Sequence, residues 1–226
     1  MRRILLAIVA VTVGFTSCKK KESPAPTTAS VMFVNGCAGA VNLDAFVNNT
    51  KLNEASNIAF LKNSGYKQVT AASGVNIVFS LTGQGTPLMN GTESLTIGKN
   101  YSAFGAGLVN NNAFVFTTDD LTVPSAGKAK VRFINLSADN LNTDCYVAGV
   151  KLDSNITYKT CTPFVEVNPG TALKILMVDK VNASYSGELL GQTLAVGKIY
   201  TFMLTGTSAV GASGSSVLTL TMIGNN

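Results

Sequence analysis

Two stretches decide the fold: VMFVNGCAGAVNLDAFVNNTKL, residues 31–52, and VRFINLSADNLNTDCYVAGVKL, residues 131–152. They align without a gap at a constant offset of 100 residues. The match resumes with NIAFLKNSGYKQV from Asn57 against NITYKTCTPFVEV from Asn155. It resumes again with LTIGKNYSAFGAG from Leu95 against LAVGKIYTFMLTG from Leu194. A collinear repeat of this length means duplicated whole domains, since solenoid repeats are far shorter. The expected copies are residues 30–122 and 129–226, joined by a linker at 123–128 that carries Pro124 and Gly127.

Within each copy the local signal is strand. VMFVN and VRFIN are β-branched and aromatic runs that stop at Asn, with Gly following in the first copy. In LDAFV and TDCYV, Leu43, Ala45 and Val47, like Thr143, Cys145 and Val147, share one face of a strand. Asp44 and Phe46, like Asp144 and Tyr146, share the other. Ser73-Gly74, Pro169-Gly170 and the repeated IGK and VGK punctuate these runs as turns. No capped, helically periodic segment longer than two turns follows the leader. The pattern predicts an all-β protein of two tandem, immunoglobulin-like antiparallel β-sandwich domains.

The run VRFIN, DCYVAGVKL, NITY, FVEVNPG and LAVGKIYT resembles the domain-of-unknown-function family DUF4397, and the first copy carries the same pattern, with NNT where the second has AGV. The resemblance extends over both copies and is closer in the second. It implies β-sandwich modules of bacterial surface and secreted proteins, often in tandem on lipoproteins. The matching residues are scaffold residues, so the resemblance brings no catalytic residue with it.

The N-terminus supplies an address. Arg2 and Arg3 precede an uncharged, mostly apolar run from Ile4 to Phe15, then Thr16, Ser17 and Cys18. This is the layout of a secretory signal peptide, and the run is too short to span a bilayer comfortably. Small residues before a cysteine resemble the lipobox of bacterial lipoproteins, with Phe15 where leucine is usual, as in relaxed Bacteroidetes versions. The resemblance implies cleavage of residues 1–17 and lipidation of Cys18, with residues 18–29 as a tether. KKKESPAPTTA, residues 19–29, suits a solvated spacer. The formal charge of +5 belongs largely to these segments: from Ser30 onward twelve Lys and Arg face eleven Asp and Glu. Those charges are dispersed, which argues against nucleic acid as a partner.

Three cysteines remain. Cys145 and Cys161 occur together in the second copy, where the first has Ala45 and Asn63. That points to a disulfide, with two buried thiols as the alternative. Cys37 is left as an inert thiol.

The chain has no histidine, which removes histidine-dependent triads and zinc sites. Asp119 and Asp120 read as a solvated strand end before the linker. Asp44 and Asp144 recur and read as structural partners on an outward face. Tyr101 and Tyr200 follow the repeated GK and read as corner tyrosines whose hydroxyls bond to backbone. Neither a catalytic set, a metal site nor a cofactor site is expected.

The sequence thus predicts a non-catalytic, lipid-anchored envelope protein displaying two modules for binding, adhesion or structural roles. It would sit in the outer membrane, facing the periplasm or the surface. Its partners are the membrane through the lipid, and an envelope protein or glycan. The alternative is a glycan-binding accessory lipoprotein of a polysaccharide-uptake system.

Overall fold

The computed structural model describes residues 27–53, 56–139, 141–208, 214 and 217–226. The leader, Cys18 and most of the tether lie outside the described residues. The first half contains β1 (Thr28–Asn35), β2 (Asn42–Val47), β3 (Thr50–Lys51), β4 (Ile58–Ala59) and β5 (Asn63–Thr70). It continues with β6 (Val75–Leu81), β7 (Pro87–Glu93), β8 (Asn100–Leu108) and β9 (Asn111–Asp119). The second contains β10 (Ala129–Asn135), β11 (Thr143–Val147), β12 (Val150–Ile156) and β13 (Val165–Val167). It ends with β14 (Gly170–Asp179), β15 (Ser186–Leu194), β16 (Ile199–Thr205) and β17 (Thr219–Gly224).

The first half forms two sheets, β5-β1-β8-β9 and β3-β2-β6-β7, with β4 also paired to β2. The second forms β13-β10-β16-β17 and β12-β11-β14-β15, the same order in corresponding strands. Pairing is antiparallel except that β1 runs parallel to β8 and β10 parallel to β16. A purely antiparallel sandwich was expected. The parallel pairs follow from the path of the chain. After β1 or β10 it crosses to the other sheet, then returns to lay β5 or β13 antiparallel on one side. It crosses again and comes back in the original direction on the other side.

Local chemistry accounts for the repeated elements. The β2–β3 hairpin turns on Asn48 and Asn49, both at positive φ, and the β11–β12 hairpin on Ala148 and Gly149, also at positive φ. Two positive-φ residues make the type I′ turn, whose twist suits flanking strands. Asn tolerates that region, so NNT and AGV are two solutions to one backbone demand. Asn35 and Asn135, which end β1 and β10, are fully buried and share one role. Asn35 Nδ2 donates to the carbonyls of Ala40 and Ile58, and its Oδ1 accepts from Cys37 N. Asn135 does the same with Leu141, Ile156 and Ser137 N. Each asparagine thereby satisfies loop backbone that would otherwise be buried unpaired.

Three apolar cores separate four sheet layers. Val31, Phe33, Leu43, Ala45, Ile77 and Phe79 fill the first half. Val131, Phe133, Cys145, Ile175, Met177 and Phe202 fill the second. Between the halves lies a third core of Met32, Val34, Phe104, Ala106 and Val115 against Ile134, Leu136, Met203 and Ile223. Odd positions of VMFVN thus face their own half and even positions face the other. Sheets covered on both sides carry continuous apolar runs instead of alternation, and VMFVN and VRFIN read that way for this reason.

Each half is closed along one edge by a glycine. A Cβ on Gly91 of β7 would stand 2.2 Å from the Phe114 ring of β9, and one on Gly187 of β15 would stand 2.6 Å from Leu204. The segment boundaries also shift. Ala29, placed in the tether, is buried in β1. Within 123–128, Pro124 is buried, and Ser125 N donates to the Glu166 carboxylate at 2.7 Å. The connection is therefore docked on the second half.

Candidate functional site

Strand direction orients the molecule. The Arg132 guanidinium, from the middle of β10, is 3.2 Å from Ser102 Oγ, near the start of β8. At the far ends of these strands Gly107 N donates to Leu136 O at 3.1 Å. All four central strands, β1, β8, β10 and β16, therefore point the same way. Residue 27 enters at one end, beside the Ile97–Lys99 turn, where Gly98 N donates to Thr28 O. The four strands β1, β8, β10 and β16 finish at the opposite end.

The largest polar cluster lies buried between the halves. Arg132 is 1% exposed and Asp119 is 4% exposed. Arg132 Nη1 meets Asp119 Oδ1 at 2.7 Å. Its remaining N–H groups reach Thr201 Oγ1 (2.8 Å), Thr117 Oγ1 (3.2 Å) and Ser102 Oγ. The guanidinium carbon lies 4.4 Å from the centroid of the Phe164 ring. Asp119 Oδ2 accepts from Tyr66 Oη at 2.6 Å and Ser102 Oγ at 2.5 Å, while Thr117 Oγ1 donates to Oδ1 at 3.1 Å. Asn225 closes the network, donating to Tyr66 Oη at 3.1 Å and accepting from Thr201 Oγ1 at 2.8 Å. Burial and the Asp119 charge push the Tyr66 hydroxyl well above the usual tyrosine range. A charge pair this deep is tolerable only because further hydrogen bonds satisfy both partners. Joining strands of both halves, the cluster acts as a clamp.

This corrects the reading of Asp119 as a solvated strand end. The two aspartates do point to opposite sides, and only Asp120 is exposed. Asp120 accepts from Thr122 Oγ1 at 2.7 Å and Thr122 N at 3.0 Å, and pairs with Lys130 Nζ at 3.1 Å. Those bonds hold its carboxyl down at about 2. The overlooked signal was Arg132, a charge inside an apolar strand where the first copy has Met32.

Asp44 and Asp144 are structural partners, as expected, although both are largely buried. Asp44 pairs with Lys51 at 3.0 Å and Asp144 with Lys151 at 2.5 Å. Asp44 also accepts from Asn53 and Thr82. Burial pulls its carboxyl up, and these donors with Lys51 bring it below the ordinary value. The second half has Asp153 in place of Asn53, and there Asp144 Oδ1 has no hydrogen-bond partner. Tyr101 Oη accepts from Thr96 N at 3.0 Å and Tyr200 Oη from Ala195 N at 3.1 Å, so both are corner tyrosines.

The Cys145–Cys161 bridge is not made: Cys37, Cys145 and Cys161 are all free. Cys145 lies in the core of the second half, whereas Cys161 bridges to Ile134 and packs on the core between halves. The sheet containing β10 stands between the two thiols. Burial raises the thiols of Cys37 and Cys145 to about 12, which makes them poor nucleophiles.

On the outer face of the first half, an opening of about 290 Å³ is lined by Phe46, Asn49, Asn76, Val78, Ser80, Gly85 and Pro87. None of these residues carries a charge. Among the described residues, no group of three His, Cys, Asp or Glu could hold a metal ion. No described helix is long and apolar enough to cross a membrane.

An all-β protein of packed sheets, clamped through its middle, is the class these features define. The chain belongs to the family described as a domain of unknown function, DUF4397, whose model matches residues 29–142. That match covers the first half and β10, whereas the motif resemblance had extended over both copies. No curated protein matches. Among solved structures, the chain is similar to a "putative cell adhesion protein" of Bacteroides uniformis at 10% identity and TM-score 0.26, covering 88% of this chain and 100% of that one. It is similar also to one so described from Bacteroides eggerthii at 13% identity and TM-score 0.21, covering 88% and 96%.

Proposed function

We propose that this chain is a non-catalytic, lipid-anchored cell-envelope protein whose two modules, related by duplication, are held out from the membrane for binding or adhesion. The observation that carries the reading is polarity: the central strands all run away from the point where residue 27 enters. A lipid on Cys18 would place that end toward the bilayer, since the nine residues 19–27 reach at most about 30 Å when extended. The opposite loops and the outer sheet faces would then be presented to partners. The core between the halves suits display, because it makes one stiff body from two modules that a free linker would let swing.

Fractionation of cells carrying the wild type and Cys18→Ala tests the anchor. The wild type is expected in the detergent-soluble membrane fraction and the variant in the soluble envelope fraction. Unchanged membrane retention of the variant would refute lipid anchoring. Protease treatment of intact cells then separates surface from periplasmic display.

A further inference from the structure

We propose that the outer face of the first half carries a binding site for a neutral saccharide, with Phe46 as its stacking platform. The proposal rests on the binding role inferred above and names its ligand class. The opening has a structural origin. The β6–β7 ladder slips register between Phe79 and Ser80, where Ser80 stands opposite Pro87. Proline brings no N–H to the ladder, so the β6–β7 register shifts there, while Thr82 N still reaches Asn42 O of β2 at 3.2 Å. The opening lies on the outer face beside Phe46, Ser80 and Pro87.

The lining chooses the ligand. Phe46, Val78 and Pro87 offer an apolar floor, and Asn49, Asn76 and Ser80 offer amides and a hydroxyl. Ser80 is 2% exposed, yet its hydroxyl bonds to no protein group and lines the opening. The Ser80 hydroxyl is thus left free to meet a molecule in the opening. The side-chain amides of Asn49 and Asn76 are likewise uncommitted; Asn76 bonds to Asn48 through its backbone alone, its N–H donating to Asn48 Oδ1 and its carbonyl accepting from Asn48 N.

Uncommitted amides and a hydroxyl beside an aromatic ring suit a molecule with one apolar face and a rim of hydroxyls. A pyranose ring has that form, its polarised C–H groups packing on the negative face of the aromatic ring. The uncharged lining favours neutral sugars over uronates or sialates. The volume, about 290 Å³, lies at the lower limit of small-molecule sites. The second half offers no equivalent: Tyr146 holds the place of Phe46, but Lys151 Nζ sits 5.5 Å from its ring centroid.

Saturation-transfer NMR on the purified full chain tests the site, with cello-, malto-, manno- and xylo-oligosaccharides as neutral probes. Oligogalacturonate and sialyllactose serve as charged comparators. Transfer to at least one neutral probe is expected. Phe46→Ala and Asn76→Ala should each weaken that binding at least about tenfold, and Tyr146→Ala should leave it unchanged. Asn76→Ala is tested alongside because its side chain touches no core and its fold should survive, as circular dichroism will show. Absence of transfer to every neutral probe overturns the proposal. So does binding indifferent to both Phe46→Ala and Asn76→Ala, or a preference for the charged comparators. If sugar binding fails while the protein remains on the cell envelope, only the site is lost. If the protein is not on the envelope, the display role falls whatever it binds.

Discussion

Replacing Arg132 by Met, the residue at the matching position of the first copy, tests the clamp between the halves. The substitution keeps an apolar stem but removes the cation opposite Asp119, whose side chain is 0% exposed. Breaking a buried pair from one side costs about 3–5 kcal/mol, mainly because the remaining charge is stranded. Tyr66, Ser102 and Thr117 would still donate to Asp119, so the loss should fall near the lower end, about 3 kcal/mol. The chain has no tryptophan, so urea unfolding is followed by far-ultraviolet circular dichroism and tyrosine fluorescence. Adding Asp119→Asn to the Arg132→Met background should recover at least about 1 kcal/mol, because the stranded charge is then gone. The reasoning is refuted if Arg132→Met costs less than about 1 kcal/mol. It is refuted equally if the double variant is less stable than the single one.

Gly91→Ala should destabilise by about 1–3 kcal/mol in the same assay, since its Cβ would overlap the Phe114 ring. Ala148→Asn should stabilise by about 0.5–1 kcal/mol, because Ala148 sits at φ 50°, where asparagine is better tolerated. Alkylation without reductant should leave Cys37 and Cys145 unmodified in the folded protein and label all three described cysteines after unfolding; a Cys145–Cys161 disulfide peptide would contradict the arrangement of the cores. Asp120 has a folded value of about 2, below the unfolded value of about 3.9. Its contribution is therefore present above about pH 4 and lost as pH falls toward 2, so Asp120→Asn should flatten the acid limb of stability over that window.

Much of the molecule was legible residue by residue. The alternation of LDAFV and TDCYV and the corner roles of Tyr101 and Tyr200 are local matters. Each depends on backbone conformation or on neighbours a few residues away, which sequence pattern records. The opening beside Phe46 was not legible. It depends on a register slip opposite Pro87 and on a hydroxyl that happens to lack a partner, and neither leaves a periodic trace.

What the sequence determined by itself was the set of strands, their repetition and their inward faces. Only the tertiary structure decided what the second faces of β1, β8, β10 and β16 meet. A strand apolar on both sides announces that it is covered, but not by which distant sheet. Packing between the halves turned Asp119 from a surface acid into the partner of Arg132. It also set Cys145 and Cys161 on opposite sides of one sheet. Those outcomes follow from side chains far apart in the chain meeting in a close-packed interior, where position in space, and not spacing in sequence, sets each group's partner.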